Sequence, residues 1–200
     1  SVKNDIVLAL KWADAPLTKT FFIHPTDLAL QKLAFDEFAG YRKAFSNNQN
    51  FWVNDIDKKF YSNDSYSYTV DPNNKADYWY NMTLYKTKSY NFNINYNDNL
   101  KQTYLWINAP VFNDTTPIGI VGTGIILDTF IANVYQNLDN GIQILFFNKD
   151  EEITGSVDKD LIPKKENIYT YFPQYAEAIK NNINAIDVND YSKHTVPFVV

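Results

Sequence analysis

Asp77-Tyr78-Trp79-Tyr80 opens the stretch on which the fold of this chain turns, and Tyr90-Asn91-Phe92-Asn93-Ile94-Asn95-Tyr96-Asn97 continues it. The first quartet reads as the start of a short helix. The second run alternates apolar and polar residues without a break, as a strand with one covered face does. Two further strand-like runs follow, Thr103 to Phe112 and Pro117 to Leu127, joined at Asn113-Asp114-Thr115-Thr116. A short asparagine-containing turn between apolar runs signals a hairpin. The expected arrangement is a helix laid over an antiparallel sheet, with aromatic side chains pointing into the space between them.

Working outward, Ser1 to Phe45 reads as helix, with Ile6, Leu10, Ala13, Leu17 and Phe21 near helical spacing and Leu28, Leu30, Leu33, Phe38 and Phe45 beyond. Pro16 and Pro25 should break that pattern, and Thr26-Asp27 resembles the cap of a restarted helix. Such a helix packs along the body, or pairs with a second copy to give a homodimer. Phe51-Trp52-Val53 reads as a strand, Asn54 to Asp57 as a turn and Lys58 to Ser62 as its return, while Asn63 to Lys75 reads as irregular. The acidic turn lacks the glycine and distal glutamate of a calcium loop.

After the central sheet a helix is expected over Asp128 to Leu138, closed by Asn140-Gly141. Ile142 to Phe147 and Glu152 to Gly155 then repeat the strand, acidic turn, strand pattern, followed by a helix over Pro173 to Ile186 and a strand at Val196 to Val200. The class is α+β. A helical segment (1–46) leads a sheet domain (47–138), and a smaller unit (139–200) follows whose three strands would leave it incomplete.

Composition narrows the function. Net charge is −5 with no extended basic run, which argues against nucleic acid as a partner. No cysteine is present, so disulfides, thiolate nucleophiles and Cys-ligated metals are excluded together. No run approaches the ~20 apolar residues of a membrane span. His24 and His194 have no partner at zinc-ligand spacing, and no nucleophile elbow or phosphate loop is present. Gly119, Gly122 and Gly124 lie among β-branched residues at the wrong spacing for a dinucleotide fingerprint; they mark a strand where a ligand or another backbone comes close. No catalytic residue, metal or cofactor is expected, and the protein is not read as an enzyme. Arg42 is the only arginine, so a guanidinium fork for a carboxylate or phosphate could come from that residue alone.

Binding residues are better represented, since 16% of the chain is aromatic. Asp77, Trp79 and Tyr80 begin the covering helix, and Tyr104, Trp106 and Asn108 share one face of the next strand. Together they describe an aromatic-walled pocket with a few polar groups, the usual construction of a small-molecule site. An acid beside Trp and Tyr suits an amine or quaternary ammonium, through Coulomb attraction and cation–π contact. The alternative places Trp79 and Trp106 in the core and Asp77 at an exposed helix cap. A carbohydrate-binding module, its aromatics forming an exposed platform, is a second reading. A sensor acting through a partner binding protein is a third.

Three segments in this order resemble the Cache (double Cache, PAS-like) sensor domains of bacterial chemoreceptors and sensor kinases. They are Asp77-Tyr78-Trp79-Tyr80, Asn108-Ala109-Pro110-Val111-Phe112, and Pro117-Ile118-Gly119-Ile120-Val121-Gly122-Thr123-Gly124-Ile125-Ile126-Leu127-Asp128. The resemblance covers Ser1 to about Asp139, and more loosely the rest as a membrane-proximal PAS-like unit. It implies a periplasmic or extracellular ligand-sensing domain of a membrane-embedded protein of chemotaxis or signal transduction. Family members that bind amino acids carry an arginine two residues before the tryptophan and an aspartate in the closing strand. The matching positions here are Asp77 and Gly124, so an α-amino acid held in the usual manner is not expected. Trp79 and Tyr80 match, which implies that the pocket wall is kept while its specificity changes.

Overall fold

The structure, a computed structural model, describes residues 1–97, 101–136, 144–148, 150–156 and 158–184. The leading helical stretch is divided into α1 (Val2–Ala13), α2 (Pro16–Ile23) and α3 (Leu28–Ala44). Pro16 stands at the start of α2, where its missing N–H has no intrahelical partner to lose. Asp27 caps α3 as its sequence suggests, accepting the Leu30 N–H at 3.0 Å. Of the expected apolar stripe Ala13, Phe21, Phe38 and Phe45 are buried, together with Trp12 and Phe22, whereas Leu28 and Leu33 are exposed. Trp12 meets Phe38 edge-on at 5.1 Å and stacks on Tyr41 at 5.5 Å.

Asp5 of α1 is 1% exposed and ties down the end of α3, accepting the Ser46 N–H at 3.0 Å and its hydroxyl at 2.5 Å. Asp5→Ala removes both acceptors and leaves a partly buried N–H without its partner. The expected loss of stability is about 2–3 kcal/mol, since hydrogen bonds to charged groups carry more than neutral ones. Urea unfolding of the two proteins measures it, and a midpoint unchanged by the substitution would contradict this role.

Six strands form one sheet: β1 (Phe51–Asn54), β2 (Lys59–Ser62), β3 (Ser65–Thr69), β4 (Asn91–Asn97), β5 (Gln102–Asn113) and β6 (Thr116–Ile126). Their order is β3-β2-β1-β6-β5-β4. Trp52 in β1 stands opposite Tyr61 of β2 on one side and Val121 of β6 on the other, both antiparallel. The covering helix, α4 (Tyr78–Lys86), follows a 3-10 turn at Lys75–Asp77.

Strand β3 is a correction to the sequence reading, which left Asn63 to Lys75 irregular. All five of its residues are exposed, so no apolar alternation marks it. The legible signal was the turn instead. Asn63 and Asp64 both take left-handed φ values, 49° and 72°, as the two central residues of a tight hairpin require.

The described chain divides into two units. The first comprises Ser1–Asn93 with Ile107–Gly124, and the second comprises Ile94–Trp106 with the chain from Ile125 onward. In the second, α5 (Leu127–Tyr135) precedes a hairpin of β7 (Leu145–Phe147) and β8 (Ile153–Ser156), then the short α6 (Ile168–Tyr171) and α7 (Ala176–Asn184). Ile153, Leu161, Ile168 and Ile179 form its core, with Leu145, Phe147, Tyr169 and Phe172 packed around them. The expected hairpin and last helix are therefore present, and α6 is an addition. Asn140-Gly141, Ile142, Gln143, Ile186 and the strand at Val196 to Val200 lie outside the described residues.

Candidate ligand-binding site

Strands β1, β2 and β3 carry an aromatic ladder on each face, and a β-bulge makes this possible. Phe60 stands opposite Tyr68 and Tyr61 opposite Tyr66, so Ser67 is an extra residue without a partner in β2. Without that extra residue Tyr66 and Tyr68, two apart, would share a face. On the side of the leading helices Tyr61 stacks on Trp52 at 5.2 Å, and Tyr66 meets Tyr61 edge-on at 6.1 Å. Trp52 in turn packs on Phe38 at 4.8 Å. On the other side Phe51 stacks on Phe60 and Phe60 on Tyr68, each at 5.1 Å.

Helix α4 lies over this second ladder. Trp79 is 5% exposed and stands perpendicular to Phe51 at 6.1 Å and to Phe60 at 6.0 Å. Asp77, just before the helix, is 8% exposed and does not cap it. Its carboxylate turns back instead, accepting the Asp71 N–H at 2.9 Å and the Tyr68 hydroxyl at 3.4 Å. The exposed-cap alternative is thereby ruled out. No lysine or arginine makes an ion pair with Asp77 among the described residues. The result is a nearly buried acid without a countercharge, beside Tyr68 and the residues around Trp79.

Tyr80 is fully buried, its ring perpendicular to Trp79 at 5.9 Å, and its hydroxyl donates to Asp55. Burial, and then the hydrogen bond and charge of Asp55, hold its pKa well above the ordinary phenol value. Asp55 also pairs with Lys58 at 3.3 Å. The polar end of Tyr80 is thus already occupied.

Asn108 of β5 is 1% exposed and donates to the side-chain oxygens of Asn91 at 2.9 Å and Asn93 at 2.6 Å. Asn91 in turn donates to the hydroxyls of Thr83 at 3.0 Å and Thr87 at 2.8 Å. This amide ladder joins the sheet to α4 and satisfies buried polar groups that would otherwise be costly. Tyr104 and Trp106 stack on each other at 5.4 Å and fall in the second unit. Asp77, Trp79, Tyr80, Asn108 and Gly124 fall in the first.

Two glycines of β6 meet the protein's own groups. A Cβ at Gly122 would meet the Ile107 carbonyl oxygen and lie 2.7 Å from the Phe51 ring, so close packing of the protein's own groups needs this glycine. The Gly124 carbonyl accepts from the side-chain amide of Asn47, whose oxygen accepts the Thr123 hydroxyl at 3.3 Å. Arg42 is occupied too, reaching Asp64 at 2.8 Å in the β2–β3 turn. The sequence's single guanidinium therefore already serves a structural partner. On the helix-facing side Phe21, Phe35, Trp52, Asn54, Asp57 and Tyr61 line a cavity of about 50 Å³. That is room for a few waters rather than for a metabolite.

The sequence marks neither Tyr68 nor Asn93 as a site residue. The Asn63-Asp64 turn signal would have placed β3, but the bulge that turns Tyr68 toward Asp77 leaves no mark in the pattern.

Leading helices, a six-stranded antiparallel sheet and a small two-stranded unit together make the fold of bacterial chemoreceptor ligand-binding domains. Three solved structures with this fold are the domain of Pseudomonas fluorescens CtaA with L-serine, that of Pseudomonas aeruginosa PctB with L-Arg, and that of Pseudomonas aeruginosa PctC with GABA. The CtaA domain is 16% identical with a TM-score of 0.57, over 88% of this chain and 71% of that one. For PctB the values are 18% and 0.55, over 88% and 70%, and for PctC 14% and 0.52, over 86% and 72%. No protein-family model matches the sequence, and no curated protein matches it.

Proposed function

We propose that this chain is the extracytoplasmic sensing domain of a membrane-embedded chemoreceptor or sensor kinase, and that it binds a small organic cation at Asp77. The observation that carries the cation is the state of that acid: nearly buried, without an ion pair, and bonded to an aromatic side chain of a ring cluster. A buried acid of this kind gains most from a positive guest, because low dielectric strengthens the attraction and the rings add cation–π contact. Related folds hold amino acids and GABA, each of which carries an amine. With Asp77 where family members have arginine, the amine end of such molecules is the part this site suits.

Residues 47–138 form the ligand-binding domain on this reading, and 139–200 the membrane-proximal unit. No helix among the described residues is long and apolar enough to cross a membrane. Val7, Leu28 and Leu33 remain exposed on the leading helices and are where a second copy would pack. A carbohydrate platform is disfavoured, because Trp12, Trp52 and Trp79 are all buried.

A thermal-shift screen over alkylammonium ions, amino acids, organic acids, purines and sugars tests the proposal. Ligand at about 100 times its Kd adds about 2.7 kcal/mol of apparent stability, a readily visible shift. Amines are expected to raise the melting temperature and organic acids to leave it unmoved. Stabilisation by acids or sugars with none by amines would sink the cation reading.

A further inference from the structure

The Asp77–Tyr68 contact differs from the other hydrogen bonds of the site. It is the longest of them at 3.4 Å, and it belongs to a tyrosine that is 37% exposed. The other bond to Asp77, from the Asp71 N–H, comes from backbone at 2.9 Å. One oxygen of the acid is therefore held firmly by the main chain. The other is held loosely by a side chain that reaches both solvent and the acid. Burial and the charge of Asp77 raise the Tyr68 pKa above the ordinary phenol value, which keeps the hydroxyl protonated and able to donate.

We infer that Tyr68 is the gate of the Asp77 site and sets its preference for a primary ammonium. This rests on the cation reading above and adds the class of cation. With the Tyr68 hydroxyl on the second carboxylate oxygen, each oxygen of the buried acid has one donor. An entering guest displaces that hydroxyl. The vacated acceptor then needs an N–H in exchange, which a primary ammonium supplies and a quaternary ammonium cannot. The ring, stacked on Phe60 and sharing the face beneath Trp79, stays to contact the cation. The bulge at Ser67 is what makes Tyr68 available, since it turns this side chain to the face that α4 covers.

The substitutions Tyr68→Phe and Tyr68→Ala separate the hydroxyl from the ring. Calorimetric titration of the whole domain with n-propylammonium, and separately with tetramethylammonium, gives the readout. Tyr68→Phe removes the competing donor and keeps the ring, so n-propylammonium should bind roughly fivefold more tightly, the worth of one net hydrogen bond. Tyr68→Ala removes both and should bind it more weakly than wild type. Wild type should prefer n-propylammonium to tetramethylammonium. If wild type binds n-propylammonium yet Tyr68→Phe binds it no better, the gate is wrong while the cation site stands. Tetramethylammonium as the better ligand of wild type would overturn the primary-amine preference. If wild type binds neither ion, the cation reading falls and the gate with it. Thermal melts of each variant confirm that the compared proteins are folded.

Discussion

Replacing Asp77 by alanine should remove amine binding, and replacing it by asparagine should weaken it. The two substitutions separate charge from geometry. Asparagine keeps an oxygen that can accept the Asp71 N–H, now held at 2.9 Å, whereas alanine leaves that N–H without its acceptor. Truncating one partner of a buried, hydrogen-bonded charge pair costs about 2–5 kcal/mol, or at least roughly 30-fold in affinity. The alanine protein should therefore lie beyond the range in which calorimetry follows the wild-type interaction. Asparagine loses the Coulomb term but keeps the shape of the site, so it should fall between. Equal affinity in all three proteins would mean that the amine binds somewhere other than Asp77.

The second large effect is on stability. Gly122→Val should destabilise the protein severely, because the space its side chain needs is already filled. Even a Cβ would run into the Ile107 carbonyl oxygen and the Phe51 ring. Phe51 cannot yield freely, since it is 1% exposed and held between Phe60 and Trp79. Overpacking a dense core costs about 1–3 kcal/mol and occasionally more, and a clash with backbone belongs at the upper end. A fall in melting temperature of several degrees or more is expected, or a failure to accumulate folded protein. A variant that melts with wild type would show that β5 and β6 can move apart at this point.

Much of this architecture was legible because it follows from periodicity. The alternation from Tyr90 to Asn97 and the runs flanking Asn113-Asp114 became β4, β5 and β6, and the prolines divided the leading helices where their chemistry dictates. Strand β3 was not legible by the same means, since no face of it is covered enough to impose a pattern. The site was legible in part. Asp77, Trp79 and Tyr80 stand out as residue types, and all three are buried. Their partners depend on contacts between distant segments. Tyr68 reaches Asp77 only through a bulge, and Tyr80 finds Asp55 across 25 residues. At Gly122 the close approach is that of the Ile107 backbone and the Phe51 ring of the same chain.

Two neighbouring residues after α3 have a mechanical consequence. Ser46 is pinned to α1 through Asp5, and Asn47 is pinned to the end of β6 through Gly124 and Thr123. The leading helix and the last strand of this unit are thus bolted to one joint. Neither can slide or rotate far unless the other follows or a bolt shears. Any strain that a guest puts on that strand has a short, stiff path to α1.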